Sequence, residues 1–388
     1  MWSQLIRRSW EENRLFSVLL ELTYRCNWDC AFCYNDLGLR GTPLSLGQYF
    51  DLLDELRELG VLNLVLTGGE PLAHPEFLEI GERAREGGFV IRLKSNAHAL
   101  RGRLAREVKE RVDPFVVEVS LHGATAEVHD RQTRVPGSFE RLLANLAELR
   151  SLGFRLKMNS VLTIWNQHQI ADMFALADRL GVPLQIEPEV SPRDDGDRSP
   201  LDLSPTQEGI RELFSIVAER TRAAAPSPAG RAGEAAAGGA EPIAEQASTD
   251  RTEVDAVPRK HCGAGSSAVA IDPFGNVYPC VQWRRAAGNL HHRPLAEIWR
   301  RSPVLEEVRE LTVEVTRRLD GLGADVARRM AFCPGAAEQA GGDPLAVYPA
   351  ARQRVAAHRA VERPAVRSLP IVGVGSAGQP SVAKAPGA

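Results

Sequence analysis

Between residues 15 and 222 the chain alternates between two periodicities. Short apolar runs at 16–22, 62–66, 90–94, 115–120, 155–162 and 184–187 predict strands. Between and after them, apolar positions recur at helical spacing over 46–59, 75–86, 100–111, 138–152, 170–180 and 204–222. Six strand–helix units in succession imply an α/β fold, with a parallel sheet and helices packed outside it. In such sheets reacting groups gather where strands end and loops begin.

The pattern stops at 223–257. This run of Ala, Gly, Pro, Ser and Glu has almost no large apolar side chains. It cannot bury enough surface to offset the entropy of ordering, and it reads as a flexible insertion. The tail at 364–388 reads the same way. Between them, 258–363 forms a smaller second domain. Asp272-Pro273-Phe274-Gly275-Asn276 predicts a hairpin turn between short strands, and 295–299 predicts a helix.

At 388 residues and 44% hydrophobic content, the chain can bury one large core and a smaller appended one. A formal net charge of −3 gives no bulk electrostatic reason to expect nucleic acid. No apolar stretch approaches the roughly twenty residues that cross a bilayer. Residues 1–14 are charged and lack a signal peptide's apolar core, so the expected location is cytoplasmic.

The cysteines change the picture most. Three of six fall as Cys26-x-x-x-Cys30-x-x-Cys33 after the first predicted strand. A structural zinc site wants a fourth ligand nearby, and the next cysteine is Cys262. Three clustered thiols cannot pair off as disulfides. Iron–sulfur clusters are held by thiolates, usually four, so three on one loop leave one iron of a [4Fe–4S] cube without a protein ligand. Thr67-Gly68-Gly69-Glu70-Pro71 closes the second strand, where glycines admit close backbone approach and a carboxylate can accept from an ammonium. Other strand ends carry Ser95, Asn96, Ser120, His122 and Asn159, and Arg131 and Arg134 follow. Short polar side chains there are also ordinary caps. His122 and His129 read as structural or solvent-facing. Glu187, Glu189 and Asp272 are candidate proton-handling groups, with no catalytic acid or base singled out among them.

The cysteine loop, with Phe32 before its third cysteine, and the glycine–glutamate turn resemble those of the radical S-adenosylmethionine (SAM) superfamily. The resemblance implies a partial (β/α)6 barrel over 15–222. It implies a [4Fe–4S] cluster on Cys26, Cys30 and Cys33 that binds SAM through its open iron. An electron from the cluster then cleaves SAM to a 5′-deoxyadenosyl radical. Gly68, Gly69 and Glu70 would bind the SAM amino group, Ser120 the ribose, and Arg134 the carboxylate. Flavodoxin or ferredoxin would supply the electron.

The order of Cys262, the hairpin turn, Cys280, Gly288-Asn289-Leu290, Ile298-Trp299 and Cys333 is similar to the SPASM/Twitch extension of that superfamily. A full SPASM extension has seven cysteines and two auxiliary clusters; here three remain. Residues 333–346 resemble the family's late Cys-to-Gly-Asp-Pro-Leu-Ala stretch. That alignment implies one auxiliary iron–sulfur cluster, a [4Fe–4S] cube on Cys262, Cys280 and Cys333, facing the barrel mouth. Three buried cysteines in a small apolar core are the plainer alternative.

The resemblance implies radical modification of a ribosomally made precursor peptide or protein: a crosslink, epimerisation, oxidation or decarboxylation. Because the barrel begins within about fifteen residues of Met1, leader recognition is expected either to use a separate recognition protein or to be absent. A radical SAM enzyme for a small molecule, such as a tetrapyrrole side chain or a carbohydrate, is the alternative. A non-enzymatic iron–sulfur or zinc scaffold would have no use for the SAM turn.

Overall fold

A computed structural model describes residues 2–36, 38–224 and 259–362. The chain opens with helix α1 (Trp2–Glu11), followed by β1 (Ser17–Glu21), α2 (Leu46–Glu58), β2 (Asn63–Thr67), α3 (Phe77–Glu86) and β3 (Val90–Ser95). Next come α4 (Gly102–Glu107), which runs into a π-helical turn at Val108–Val112, β4 (Val116–Ser120), α5 (Ala126–Thr133), α6 (Ser138–Ser151) and β5 (Leu156–Val161). The first part ends with α7 (Ile170–Leu180), β6 (Leu184–Glu187) and α8 (Gln207–Ala224). After residue 258 come β7 (Ala268–Ile271), β8 (Asn276–Tyr278), β9 (Gly288–Asn289), α9 (Leu295–Arg301), α10 (Pro303–Gly321), α11 (Ala324–Met330), α12 (Pro334–Gly341) and α13 (Pro349–Glu362).

Among the described residues, nine strands form one sheet, ordered β6-β5-β4-β3-β2-β1-β7-β8-β9. The six strands expected from the periodicity are present and parallel. The sheet does not stop at β1. Strand β7 pairs with it in parallel, Ser17 opposite Ala268 and Leu20 opposite Ile271, so the second set of strands extends the first sheet.

Side chains alternate across a strand, and the sheet's two faces differ sharply. Val18, Leu20, Leu64, Leu66, Ile91, Leu93, Val117 and Val119 point into one core under the helices. The alternate positions, including Glu21, Arg92, Lys94, Glu118 and Asn159, form a polar inner face. There Arg92 Nε and Asn159 Nδ2 donate to opposite oxygens of Glu118, at 2.8 and 2.6 Å. This polar face is why strand β3 reads less apolar than a doubly covered parallel strand.

Arg131 lies on α5, and Arg134 caps its end. Asp130 explains the boundary: its carboxylate accepts from the N–H groups of Gly137 (2.6 Å) and Phe139 (2.9 Å) and from the Ser138 hydroxyl (2.8 Å), which starts α6. Helices α1, α5 and α10–α13 have no counterpart among the predicted segments. Helix α13 packs against α8, with His358 stacked on Phe214 at 3.9 Å. The segments read as flexible, 223–257 and 364–388, lie outside the described residues apart from the end of α8.

The predicted hairpin joins β7 to β8. Fully buried Asp272 closes it: Oδ1 accepts from the N–H groups of Phe274 and Asn276, both at 2.9 Å, and Oδ2 from Asn276 Nδ2 (2.8 Å) and the Tyr278 hydroxyl (3.1 Å). Four donors make this carboxylate a turn cap. Asp272→Ala would strand buried donors, at about 1–3 kcal/mol for each left unpaired. Urea unfolding should show a loss of at least that order.

Candidate metal and cofactor site

The loop carrying Cys26, Cys30 and Cys33 leaves the finishing end of β1 and is tied down by backbone. Asp29 N–H donates to Thr133 O (3.1 Å) and Ala31 N–H to Gln132 O (3.0 Å). Cys26 Sγ accepts from Trp28 N–H (3.4 Å) and Asn96 Nδ2 (3.8 Å). Burial pushes the Cys26 thiol up to about 11 and raises Cys30 and Cys33 too. Cys30 is raised further by repulsion from its two neighbours. Three mutually repelling thiolates fit a shared cationic centre, which would relieve both penalties. Among the described residues, no three His, Cys, Asp or Glu side chains are closed around a single ion. A cube asks for less closure, because each thiolate takes its own iron.

The Gly68–Gly69 turn presses against this loop. Gly68 has φ +135°, and a Cβ there would lie 2.3 Å from Thr23 O; one at Gly69 would lie 2.6 Å from Arg25 O. Gly69 N–H donates to Thr23 O (2.7 Å), Glu70 N–H to Arg25 O (2.9 Å), and Asn35 Nδ2 to Gly68 O (3.1 Å). The close approach the glycines permit is therefore that of the cysteine loop's own backbone.

Glu70 is 2% exposed. Its Oε1 accepts from Ser95 Oγ (2.8 Å) and Leu72 N–H (3.2 Å), and its Oε2 from Asn96 N–H (2.8 Å). Asn96 passes the link on to Asn27 Oδ1 (2.7 Å) and to Cys26. The carboxylate thus ties the ends of β2 and β3 to the cysteine loop. Burial outweighs these bonds and pushes its pKa up to about 7.

Ser120 ends β4, half-buried. Arg134 lies at the rim, half-exposed, in the left-handed region (φ +56°), and donates to Asp29 Oδ2 at 3.1 Å. His122 and His129 are both buried rather than solvent-facing, against Phe32 and Trp28. Burial lowers them to about 3 and about 4, so they are neutral at pH 7.

The second cysteine set comes together from three segments. Cys262 and Cys280 pack against one apolar group of Ala264, Trp283 and Val308. His261 Nε2 bonds Phe332 O at 2.6 Å, joining the neighbours of Cys262 and Cys333. A Cβ on Gly335 would meet Gln282 O at 2.3 Å, so α12 sits tightly on the Cys280 turn. Burial pushes Cys333 up to about 11, with Cys280 and Glu189 adding repulsion.

The expectation that this set faces the barrel mouth is corrected by the hairpin register. Tyr278 lies opposite Ala270, so Cys280 returns to the level of Ala268 and Ser17, the starting ends of β7 and β1. An antiparallel return carries the chain back down the sheet. Cys280 and the Cys26–Cys33 loop therefore lie toward opposite ends of β1.

Glu187 and Glu189 are engaged by Arg354, and Tyr348 also donates to Glu189. A buried ion group built on Glu21, Asp194 and Arg284 was not foreseen. The signal available was Glu21, a carboxylate inside an apolar strand run.

The sequence profile of the Radical SAM superfamily matches residues 20–177, and that of an iron–sulfur cluster-binding domain, SPASM, matches 262–320. The mycofactocin maturase MftC of Mycobacterium ulcerans is 31% identical over 303 residues, covering 75% of this chain and 76% of that one. The AdoMet-dependent heme synthase of Methanosarcina barkeri is 27% identical over 305 residues, covering 76% and 84%. The structure of Streptococcus suis SuiB bound to precursor peptide SuiA superposes with a TM-score of 0.59 at 13% identity, covering 76% and 67%.

Ionisation of Glu70 opposes folding, because its folded pKa of about 7 stands above the ordinary 4.5. Its contribution is fully present below pH 4.5 and lost as pH rises through 7. In the metal-free chain, the urea midpoint should fall over this window more steeply in wild type than in Glu70→Gln. Parallel pH profiles would contradict the assignment.

Proposed function

This chain belongs to the radical SAM superfamily and carries a SPASM extension, and on that premise we propose that it is a maturase acting on a ribosomally made precursor peptide. Cys26, Cys30 and Cys33 hold the SAM-binding [4Fe–4S] cluster, and Cys262, Cys280 and Cys333 hold one auxiliary iron–sulfur cluster. The observation that carries this reading is the pair of thiol sets flanking one polar inner face. When bound, the first cluster and SAM supply a carbon radical able to take hydrogen from an unactivated C–H bond.

The residues of the chain prepare that event. Gly68 and Gly69 let the turn close on the cysteine loop. Glu70, buried without a cationic partner, accepts from the SAM ammonium, which would draw its pKa back down. Ser120 takes the ribose. Arg134 takes the carboxylate, for which it must release Asp29. Flavodoxin or ferredoxin delivers the electron.

A relative named a maturase and a fold neighbour holding a precursor peptide support the peptide class. The heme synthase similarity, spanning 84% of that protein, supports a second reading on a tetrapyrrole side chain. Anaerobic reconstitution with a co-encoded short peptide, followed by mass spectrometry, separates them. The maturase reading expects a peptide mass change; an altered tetrapyrrole with an untouched peptide favours the second.

Two variants probe the cofactor site. The Cys26/Cys30/Cys33→Ala triple variant should form no 5′-deoxyadenosine after reconstitution, and unchanged nucleoside production would remove the assignment. Glu70→Gln should keep its iron but bind SAM around tenfold more weakly, from loss of a charge-assisted bond worth roughly 1.5–3 kcal/mol. Isothermal titration measures this, and equal affinities would refute the role.

A further inference from the structure

Arg284 follows Cys280 by one short turn. Its Nη1 and Nη2 donate to the two oxygens of Glu21 at 2.9 and 2.8 Å, and Nη2 also reaches Asp194 Oδ2 at 2.9 Å. The group is enclosed: side-chain exposure is 11% for Arg284, 0% for Glu21 and 9% for Asp194. Tyr24 donates its hydroxyl to Glu21 at 3.0 Å, and the guanidinium lies 5.0 Å over the Tyr278 ring.

The partners lie on the other cysteine set's supports. Glu21 is the last residue of β1, five before Cys26. Asp194, on the segment after β6, donates its N–H to Tyr34 O at 2.8 Å, next to Cys33. One guanidinium thus ties the Cys280 turn to both ends of the Cys26–Cys33 loop. A planar fork gripping two carboxylates fixes direction as well as distance, which a lysine cannot do. Ordinary stapling of an extension needs no buried charge. The exposed Gln207–Gln353 and Arg198–Gln339 contacts serve that purpose at the surface.

We propose that Arg284 is a positioning residue that sets the separation and orientation of the two cluster sites. Glu21 and Asp194 are the seats that receive it. The proposal rests on the reading that each cysteine set holds a cluster. The magnetic interaction between two reduced clusters falls with the cube of their distance, so it reports a displacement that a merely structural contact would not cause.

The test uses reconstituted full-length protein, with iron counted and the reduced protein examined by electron paramagnetic resonance. Wild type should hold about eight irons, if both clusters are cubanes, and show spin–spin broadening. Arg284→Met should load both clusters yet lose that broadening. Arg284→Lys, which keeps the cation and gives up the two-pronged grip, should show a partial loss. If the Met variant fails to load, the Lys variant decides. Wild-type broadening in a fully loaded variant overturns the positioning role alone. A wild-type count near four irons removes the auxiliary cluster, and this proposal with it.

Discussion

The parallel ladder between β1 and β7 is the constraint from which the rest of the site follows. Four residues of β1, Ser17 to Leu20, face Ala268 to Ile271 in register. That pairing makes segments far apart in sequence share one strand. The Cys26–Cys33 loop leaves one end of β1, and the β7–β8 hairpin brings Cys280 back to the other. A parallel neighbour is unforgiving here, since a slip of one residue would exchange the apolar outer side chains with the polar inner ones. Val18 and Leu20 are fully buried under the helices, while Glu21 faces inward.

Charge on the inner face is held by geometry. Glu118 is gripped by Arg92 and Asn159, Glu21 by Arg284, and Glu189 by Arg354. A buried carboxylate that loses its cation costs about 3–5 kcal/mol, so each grip constrains the backbone that carries it. Glu70 differs. It is as buried as the others and has only neutral donors, and its pKa rises accordingly.

Much of this was legible in the chain itself. The six βα units, the cysteine loop, the glycine–glutamate turn and the Asp272 hairpin all have local signatures, because spacing and turn chemistry act over a few residues. What was not legible depends on contacts between distant segments. Nothing local in 268–271 says that it will pair with β1, and the hairpin's direction follows only from that pairing. The role of Gly68 and Gly69 was read as access for a ligand, whereas their backbone neighbours are Thr23 to Arg25. Whether His122 and His129 are structural or solvent-facing depends on the rings around them, here Phe32 and Trp28, which bury both. Arg284 is one of many arginines until its partners are known.

The central claim is that two clusters face each other across the inner face from opposite ends of β1. Anomalous diffraction at the iron edge, from crystals of the anaerobically reconstituted protein, tests it most directly. The account predicts two iron peaks, one in the Cys26–Cys33 loop beyond Glu21 and one among Cys262, Cys280 and Cys333 at the level of Ser17. A single peak, or a second one at the same end of β1 as the first, would contradict it.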